Sequence, residues 1–543
     1  MPAFCEAKEE RGLQGTRAAQ RKLRYVAARM GKRNTHIESG IELLVCEPSA
    51  PMKARGLISL AIIMVMASCT AGLEPPAIAP TLPPPAGIPV TTQAASPTPV
   101  PASTASEPAP TASTGSFELI GHSPLLNRGM NAGLAIYGNY EYVGSRTDGS
   151  HPDAGVLVVE LSNPADPQIV YQIGPPEQAI VGQTSRELRV WPDQELLLVL
   201  NFDCDPGLHD CRRSLTPPRL SFYDISGANA AAPQLIAVHT LARTPHEMFL
   251  WDDPGIEGRA LLYLSTPARS GDNLLVIDIS QARQGLFQEA GSWSAPAGTF
   301  RGELHSLSLS VDGRRAYLAH LRDGFMILDT SDLADGIADP QIRLLTPVES
   351  WALWSSPGPH SAVRLFGKPF ALITEEVYGS CPWGWTHIID ITDEARPQFA
   401  AEYRLHPYNT VEHCAGAAPE RYRSTSFSAH NPTVTKNLAL ITWHSGGLQA
   451  VSIADPLGPV QVAQFLPEPL PSVGTEDPAL SSGPDKVVMW SYPIIRDGLI
   501  YVVDVRNGLY ILKYHGPFEQ EVNAIRFLEG NSNLGEAQLW ATP

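Results

Sequence analysis

The chain has 543 residues, of which 50 are Pro, 44 are Gly and only 17% are charged. This composition favours a β-rich protein with many turns over a helical bundle. From Cys69 onward there are 28 Lys and Arg against 50 Asp and Glu, a formal charge of −22. This excess of negative charge argues against nucleic acid or an anionic membrane surface as an electrostatic partner.

The N-terminal region predicts export. Residues 52–68 combine a short basic segment with an apolar run at 57–67, which is too short to span about 30 Å of hydrocarbon. Residues 66–69, Met-Ala-Ser-Cys, then resemble the lipobox of a bacterial lipoprotein signal peptide, whose Cys takes the lipid. A plain secretory signal cleaved elsewhere is the alternative. The resemblance implies a lipid anchor at Cys69, on the outer face of the cytoplasmic membrane or in the cell envelope.

Two segments flank this signal peptide. Residues 1–51 have no repeat or core pattern, so we interpret them as a leader that results from a start codon assigned too early. An extended signal region is the alternative. Residues 69–115 are rich in Pro, Ala, Thr and Ser and carry almost no charge, so they are predicted to form a disordered linker. Such a linker would hold the rest of the chain away from a membrane.

Four cysteines follow the lipidation candidate. An even number of cysteines in an oxidising compartment predicts disulfides. Cys204 and Cys211 bracket a short loop-like run, so we expect them to pair, which leaves Cys381 to pair with Cys414. Neither pair has the C-x-x-C spacing of a zinc or redox site, and both are interpreted as structural.

Repeats of one unit extend over residues 116–515. Each is built around a strand of the Leu-x-Val-Val-Asp type, followed in most copies by a turn and a Pro. The Asp is expected to hydrogen-bond the backbone of that turn. The seven positions equivalent to the Asp are Glu160, Asp224, Asp278, Asp329, Asp390, Ser452 and Lys513. Together with the segments around this strand, each unit has four short strands that form a sheet. Both faces of the sheet are apolar, and only radial stacking of the units buries them. The sequence therefore predicts an all-β, seven-bladed β-propeller.

The two ends of the repeat region are predicted to meet. The last unit lacks an outer strand, whereas residues 117–121, Phe-Glu-Leu-Ile-Gly, precede the first unit and resemble the outer strands of other units. This N-terminal strand is predicted to close the last blade, because closure removes an open edge. Residues 516–543 are predicted to form a C-terminal tail outside the repeat.

The pattern resembles the bacterial LVIVD-repeat proteins, most clearly at residues 428–432 and 441–448. That resemblance implies an exported or surface-exposed propeller. The first function predicted for such a propeller is that of a binding module for an unknown protein, glycan or small-molecule ligand.

Alignment of the units exposes a further equivalent position at the start of the innermost strand, which is expected to face the mouth of the central channel. Its occupants in chain order are Asn131, Glu187, His246, His305, His360, His430 and Trp490. The histidines in register have two interpretations. They are repeated structural residues that bond a carbonyl of the adjacent blade, or they are ligands of copper, zinc, iron or nickel.

The histidine arrangement is similar to that of the selenium-binding proteins and the methanethiol oxidases. This similarity implies that His246, His305, His360 and His430 bind copper or another transition metal. Glu187 lies at the same aligned position and is predicted to be an additional ligand or to orient the ligands. His320 and His444 follow the second strands of their units and are predicted to support the site or contact substrate. Glu375 and Glu376 are interpreted as a solvated pair.

Three functional hypotheses therefore remain: a binding module, a copper-dependent oxidase of a small sulfur compound, and a structural component of the envelope. The sequence contains no G-x-S-x-G, phosphate-loop or H-E-x-x-H motif, so the usual support for a hydrolase or a nucleotide-dependent enzyme is missing. The fold alone does not distinguish the three hypotheses.

Overall fold

The computed structural model describes residues 115–541 except for 175–178, 207–210, 215, 268–271, 297–302, 348–357, 379–380 and 416–423. The predicted leader, the signal peptide, Cys69 and the linker up to residue 114 lie outside the described residues. In the described part of the chain, no helix is long and apolar enough to cross a membrane.

The described residues form four-stranded antiparallel units that follow one another along the chain, and we number these units as blades 1 to 7. The first strand, β1, is Ser116–Ser123. Blade 1 consists of β2 (Asn131–Tyr137), β3 (Tyr140–Ser145), β4 (Val156–Glu160) and β5 (Gln168–Ile173). Blade 2 consists of β6 (Gln183–Trp191), β7 (Leu196–Asp203), β8 (Arg219–Asp224) and β9 (Gln234–Thr240). Blade 3 consists of β10 (Met248–Asp252), β11 (Ala260–Ser265), β12 (Asp272–Asp278) and β13 (Gln288–Ser294).

The remaining blades have the same order of strands. Blade 4 consists of β14 (Leu304–Leu309), β15 (Arg315–His320), β16 (Gly324–Asp329) and β17 (Arg343–Leu344). Blade 5 consists of β18 (Pro359–Arg364), β19 (Phe370–Glu375), β20 (Thr386–Asp390) and β21 (Gln398–Tyr403). Blade 6 consists of β22 (Pro432–Val434), β23 (Leu438–Thr442), β24 (Leu448–Ser452) and β25 (Val460–Phe465). Blade 7 contains β26 (Ile494–Arg496), β27 (Leu499–Asp504) and β28 (Gly508–His515), and β29 (Phe527–Leu528) follows in the tail.

Helices are few and short. The α-helices among the described residues are α1 (Ser331–Ala334), α2 (Val411–Ala415), α3 (Glu519–Ala524) and α4 (Glu536–Ala541). Single 3-10 turns occupy Leu125–Asn127, Pro192–Gln194, Gly227–Ala230 and Ala282–Gln284. Blades 1 and 2 share one eight-stranded sheet through a single pairing of Ser145 with Ser185, and each is a four-stranded meander by itself. The all-β propeller fold is confirmed.

The acidic residue of the repeat shapes the turn after the third strand of a blade. Oδ1 of Asp278, Asp329 and Asp390 accepts a hydrogen bond from the backbone N–H two residues further on, at 2.8, 3.0 and 2.8 Å. Glu160 accepts the equivalent bond from Ser162 at 2.8 Å, so the longer carboxylate serves the same purpose. The predicted turn chemistry is therefore confirmed at these positions.

The hydrophobic core is divided into clusters that lie between neighbouring blades. One cluster packs Leu198 of blade 2 against Leu262 of blade 3, and the next packs Tyr263 of blade 3 against Leu318 of blade 4. Inner strands such as β14 are buried throughout, whereas the outer strand β9 is exposed or half-buried along its length. Each blade therefore buries its two apolar faces against its two neighbours, as radial stacking requires.

The N-terminal strand closes the last blade. Strand β1 pairs antiparallel with β28 and places Phe117 opposite Tyr514. Leu157 of blade 1 belongs to the same hydrophobic cluster as Ile511 of blade 7. The prediction that the two ends of the repeat region meet is confirmed.

The C-terminal tail is part of the propeller, which the sequence did not indicate. Strand β29 pairs with β26 of blade 7. Gly530 passes so close to Pro432 of blade 6 that a Cβ atom there would lie 2.3 Å from the Pro432 carbonyl oxygen. The Asn533 side chain donates to the backbone oxygen of Asp252 in blade 3 at 2.7 Å and accepts from its N–H at 2.8 Å. The tail thus crosses the inner strands of three blades.

The four downstream cysteines form two disulfides. Cys204 is joined to Cys211 with a Cα–Cα distance of 6.3 Å, and Cys381 is joined to Cys414 with a Cα–Cα distance of 5.6 Å. Cys204 directly follows β7 and Cys381 lies between β19 and β20, so both disulfides fasten connections outside the sheets.

Candidate metal centre

Four histidine rings form a continuous row at the starts of the inner strands of blades 3 to 6. The ring centroids are 4.3 Å apart for His246 and His305, 3.9 Å for His305 and His360, and 4.2 Å for His360 and His430. His246 is half-buried and the other three are buried. The repeat of the propeller therefore brings residues that are distant in sequence into direct contact.

Glu376 joins three imidazoles. Its Oε2 lies 3.5 Å from Nε2 of His360, and its Oε1 lies 3.4 Å from Nε2 of His430 and 3.1 Å from Nε2 of His444. Two groups of three potential metal ligands share this carboxylate, one with His305 and His360 and one with His430 and His444. The interpretation of Glu375 and Glu376 as a solvated pair is wrong, since the two residues are only 6% and 8% exposed.

A backbone carbonyl determines which nitrogen of His430 carries the proton. Nδ1 of His430 lies 2.7 Å from the backbone oxygen of Trp490. A carbonyl oxygen only accepts hydrogen bonds, so the proton of a neutral His430 is on Nδ1 and the lone pair is on Nε2. That lone pair faces the carboxylate of Glu376.

Two hydroxyl groups have the same effect on the neighbouring imidazoles. Ser426 Oγ donates to a backbone carbonyl at 3.0 Å and therefore accepts from Nδ1 of His444 at 3.0 Å. Ser361 Oγ donates to Oδ1 of Asn431 at 3.0 Å and therefore accepts from Nδ1 of His360 at 2.9 Å. All three imidazoles thus hold their protons on the side away from the carboxylate.

This arrangement leaves buried polar atoms without partners. Among the described residues, Nε2 of His360, His430 and His444 and Oε1 of Glu376 have no hydrogen-bond partner. Each such buried atom costs about 1–3 kcal/mol, so occupation by a cation is favoured. Ligands bound 2.1 Å from a tetrahedral zinc lie about 3.4 Å from one another. The carboxylate–imidazole distances of 3.1–3.5 Å match that spacing.

Burial keeps the row of imidazoles neutral. Desolvation lowers the pKa of His305 to about 4 and holds the pKa values of His360 and His430 well below their usual range. Neutral imidazole is the form that binds a metal ion. The hydrogen bonds to Nδ1 are of the kind that orient metal-binding histidines in proteins.

Two of the predicted residues lie apart from Glu376 and contact arginines instead. Nε2 of His246 accepts a hydrogen bond from Arg186 at 3.2 Å, since a guanidinium group only donates. Oε1 of Glu187 lies 3.7 Å from Arg186 and its Oε2 lies 3.5 Å from Arg189. Both residues therefore lie next to arginines, and His246 also forms a third group of potential metal ligands with Glu247 and His305.

His320 also has another partner. Its Nδ1 lies 2.9 Å from Oδ2 of Asp323, and it is in none of the groups of potential metal ligands among the described residues. Of the residues predicted from sequence, the structure brings four together around Glu376: His305, His360, His430 and His444.

Glu376 is the residue that sequence reasoning missed. It lies two positions after Thr374, and His444 lies two positions after Thr442, and both threonines are at or near the end of the second strand of their blades. The register that singled out His444 therefore also singles out Glu376. A carboxylate and an imidazole at equivalent positions in neighbouring units are a signal for a shared ion.

A cavity of about 780 Å³ adjoins the row of imidazoles. Its wall includes Glu376, His305, Arg146 and Arg186. Cζ of each arginine lies over the Trp490 ring, at 5.2 and 5.0 Å from its centroid. The volume is that of a small-molecule site.

Comparison with known proteins agrees with the repeat pattern. A family model described as LVIVD repeat matches residues 128–173 and 305–336, which lie in blades 1 and 4. The fold is thus a β-propeller, and the prediction of LVIVD repeats in it is confirmed.

No curated protein matches the chain. Among solved structures, the chain is similar to Chaetomium thermophilum Sqt1, in its crystal structure bound to the N-terminus of the ribosomal protein L10. The identity is 12%, 75% of this chain and 91% of that chain are covered, and the TM-score is 0.40.

Proposed function

We propose that this LVIVD-repeat propeller binds a transition metal ion at Glu376 and presents it to a small-molecule ligand in the adjoining cavity. The observation that carries the proposal is the convergence of three buried Nε2 lone pairs on one carboxylate. Imidazole and carboxylate donors suit zinc, copper, nickel or iron, whereas calcium and magnesium prefer sites made of oxygen atoms. The chain is then a binding module whose ligand contacts a metal.

Access to the cavity supports a role beyond structure. Structural metal sites are closed, whereas sites that act on a ligand keep a position open to it. Glu376 and His305 both line the cavity, so an ion held there is within reach of a ligand.

Metal content of the purified protein tests the proposal. After expression in metal-replete medium, we expect stoichiometric metal in the wild type and its loss in a His430→Ala, His444→Ala double variant. His239→Ala removes an imidazole from the outer strand β9 and is expected to leave the metal content unchanged. Wild-type protein that stays free of metal after incubation with zinc and with copper would overturn the proposal.

A copper-dependent oxidase of a small sulfur compound is the second candidate, favoured by the contact between the cavity and the imidazole row. Oxygen consumption by the copper-loaded protein in the presence of methanethiol tests it. Turnover that disappears in the double variant supports an enzyme. Stoichiometric copper without turnover supports the binding module.

We also propose that the propeller is exported and held at the membrane through lipid on Cys69. The signal-like residues 52–68 and the linker at 69–115 support this location. The two disulfides agree with it, because disulfides persist in oxidising compartments. Fractionation of cells that produce a Cys69→Ala variant tests the anchor, since the variant is expected to leave the membrane fraction.

A further inference from the structure

Two arginines line the cavity beside the His246 end of the imidazole row. Arg146 directly follows β3 of blade 1, Arg186 lies within β6 of blade 2, and both line the cavity. The guanidinium groups share the Trp490 ring of blade 7, at 5.2 and 5.0 Å from its centroid. Two like charges are therefore held close together on one aromatic surface.

The two arginines differ in how closely they are paired with a carboxylate. Arg146 has its own carboxylate, since Asp477 lies 3.4 Å away. The carboxylate next to Arg186 is that of Glu187, at 3.7 Å, and Arg189 contacts the same carboxylate at 3.5 Å. Two guanidinium groups thus share one carboxylate, while Asp203, Asp205 and Glu303 line other parts of the cavity wall.

Arg186 is also incompletely hydrogen-bonded. The residue is only 9% exposed, and its Nε, which lies 3.7 Å from Oε1 of Glu187, makes no hydrogen bond with the described residues. Desolvation and the charge of Arg146 lower the pKa of Arg186, so the protein bears a cost to keep this cation in place. An anion at this position would relieve that cost.

We infer that the cavity takes a small organic anion whose oxyanion group is bound by Arg186. A guanidinium group donates parallel hydrogen bonds to a carboxylate or phosphate group, and these charge-assisted bonds are stronger than neutral ones. Phe202 and Leu304 line the same cavity and provide apolar contacts for the rest of the ligand. A small organic anion is thus the class of ligand for the proposed site. This assignment rests on the proposed function only for the effect of the metal on the affinity for the anion.

The metal and the anion are expected to support each other. Glu376 lines the cavity and would repel an anion, and a bound cation would offset that charge. The affinity for the anion is therefore expected to be highest when the metal is present, although Arg186 itself is not one of the metal ligands.

Calorimetric titration with benzoate tests the inference, with benzamide as the uncharged molecule of the same shape and inorganic phosphate as an anion without an apolar part. Benzoate is expected to bind the zinc-loaded full chain about tenfold more tightly than benzamide. Arg186→Gln should weaken benzoate binding about tenfold or more. Arg322→Gln removes the same charge from an exposed position on the cavity wall and should weaken it less than about threefold.

The titrations are repeated on protein stripped with EDTA, and metal content is measured in each variant. Benzoate binding that depends on Arg186, with or without metal, supports the inference even if the metal proposal fails. Equal binding of benzoate and benzamide, or equal loss in the two variants, overturns it even if metal is bound stoichiometrically. If Arg186→Gln does not fold, Arg186→Lys replaces it, and unchanged benzoate affinity in that variant counts against the guanidinium group. Phosphate binding equal to benzoate binding overturns the organic part of the ligand class.

Discussion

A Glu376→Gln substitution is expected to stabilise the metal-free protein. In the absence of metal, Oε1 of Glu376 faces the lone pairs of His430 and His444 at 3.4 and 3.1 Å. An amide in this place has N–H groups that can donate to both nitrogens. A buried hydrogen bond contributes about 0.5–1.5 kcal/mol net, so two of them raise the free energy of unfolding by about 1–3 kcal/mol.

In the presence of metal the order of stability is expected to reverse. An ion at 100 times its Kd that binds only the native state adds about 2.7 kcal/mol to the free energy of unfolding. The variant has a neutral amide in place of the charged ligand, so it binds the ion weakly. The ion therefore adds less to its free energy of unfolding. Urea unfolding of both proteins in EDTA and in excess zinc measures the four free energies.

Glu375→Gln is the matched control for this experiment. Glu375 is also buried, but its Oε2 lies 3.3 Å from His387 and it is in none of the groups of potential ligands among the described residues. Its substitution should therefore change the stability equally in EDTA and in zinc. The reasoning is refuted if Glu376→Gln is less stable than wild type in EDTA, because the carboxylate would then be satisfied without a cation.

Three further predictions concern the propeller itself. Glu141 is buried and neither of its carboxylate oxygens has a hydrogen-bond partner among the described residues; desolvation raises its pKa well above the usual 4.5. The free energy of unfolding of the wild type should therefore fall as the pH rises above 4.5 toward that raised pKa, by up to about 1.4 kcal/mol per pH unit. Glu141→Met has no carboxyl group to ionise. Its advantage in stability over the wild type, measured by thermal unfolding, should therefore grow between pH 5 and 8. Ile511→Ala, in the cluster that joins blades 7 and 1, should cost about 2–5 kcal/mol in urea unfolding, whereas Leu119→Ala on the exposed side of the same closing strands should cost less than about 0.5 kcal/mol. Asn533→Ala removes both bonds to Asp252 and should speed cleavage of the tail by a protease without a comparable effect on the blades; equal cleavage rates would show that those bonds do not hold the tail.

The blades could be predicted because their information is local. The Asp at 278, 329 or 390 bonds a backbone group two residues away, and this turn recurs wherever the sequence repeats. The closing strand β1 could be predicted for a related reason, since an unpaired outer strand at one end of a repeat array requires a partner from the other end.

The tail could not be predicted in this way, and although the register of the repeat marks the position of Glu376, it does not show that the carboxylate of this candidate site is buried. The tail occurs once, and the bonds of Asn533 to Asp252 have no counterpart in the repeat from which to infer them. Two consecutive glutamates usually lie in solvent, because buried carboxylates cost free energy unless they are paired. Glu376 is buried because three histidines surround it. His360 lies on strand β18, whereas His430 and His444 lie on connections before and after strands of blade 6. That arrangement exists only in the folded ring.

The bonds of the histidines bear on the choice between repeated structure and the proposed metal binding. A repeated structural role requires equivalent bonds from each blade to the next, and hydroxyl groups make those bonds: Ser265 donates to the carbonyl of His305 at 2.8 Å and Thr442 donates to that of Trp490 at 3.2 Å. The imidazoles have no such common pattern. His246 accepts from Arg186 and His360 bonds the adjacent Ser361, whereas His305 and His430 each bond the backbone of the next blade, at His360 and Trp490. What His360, His430 and His444 do share is an Nε2 lone pair that faces Glu376, and a common orientation toward a carboxylate is what a common ion requires.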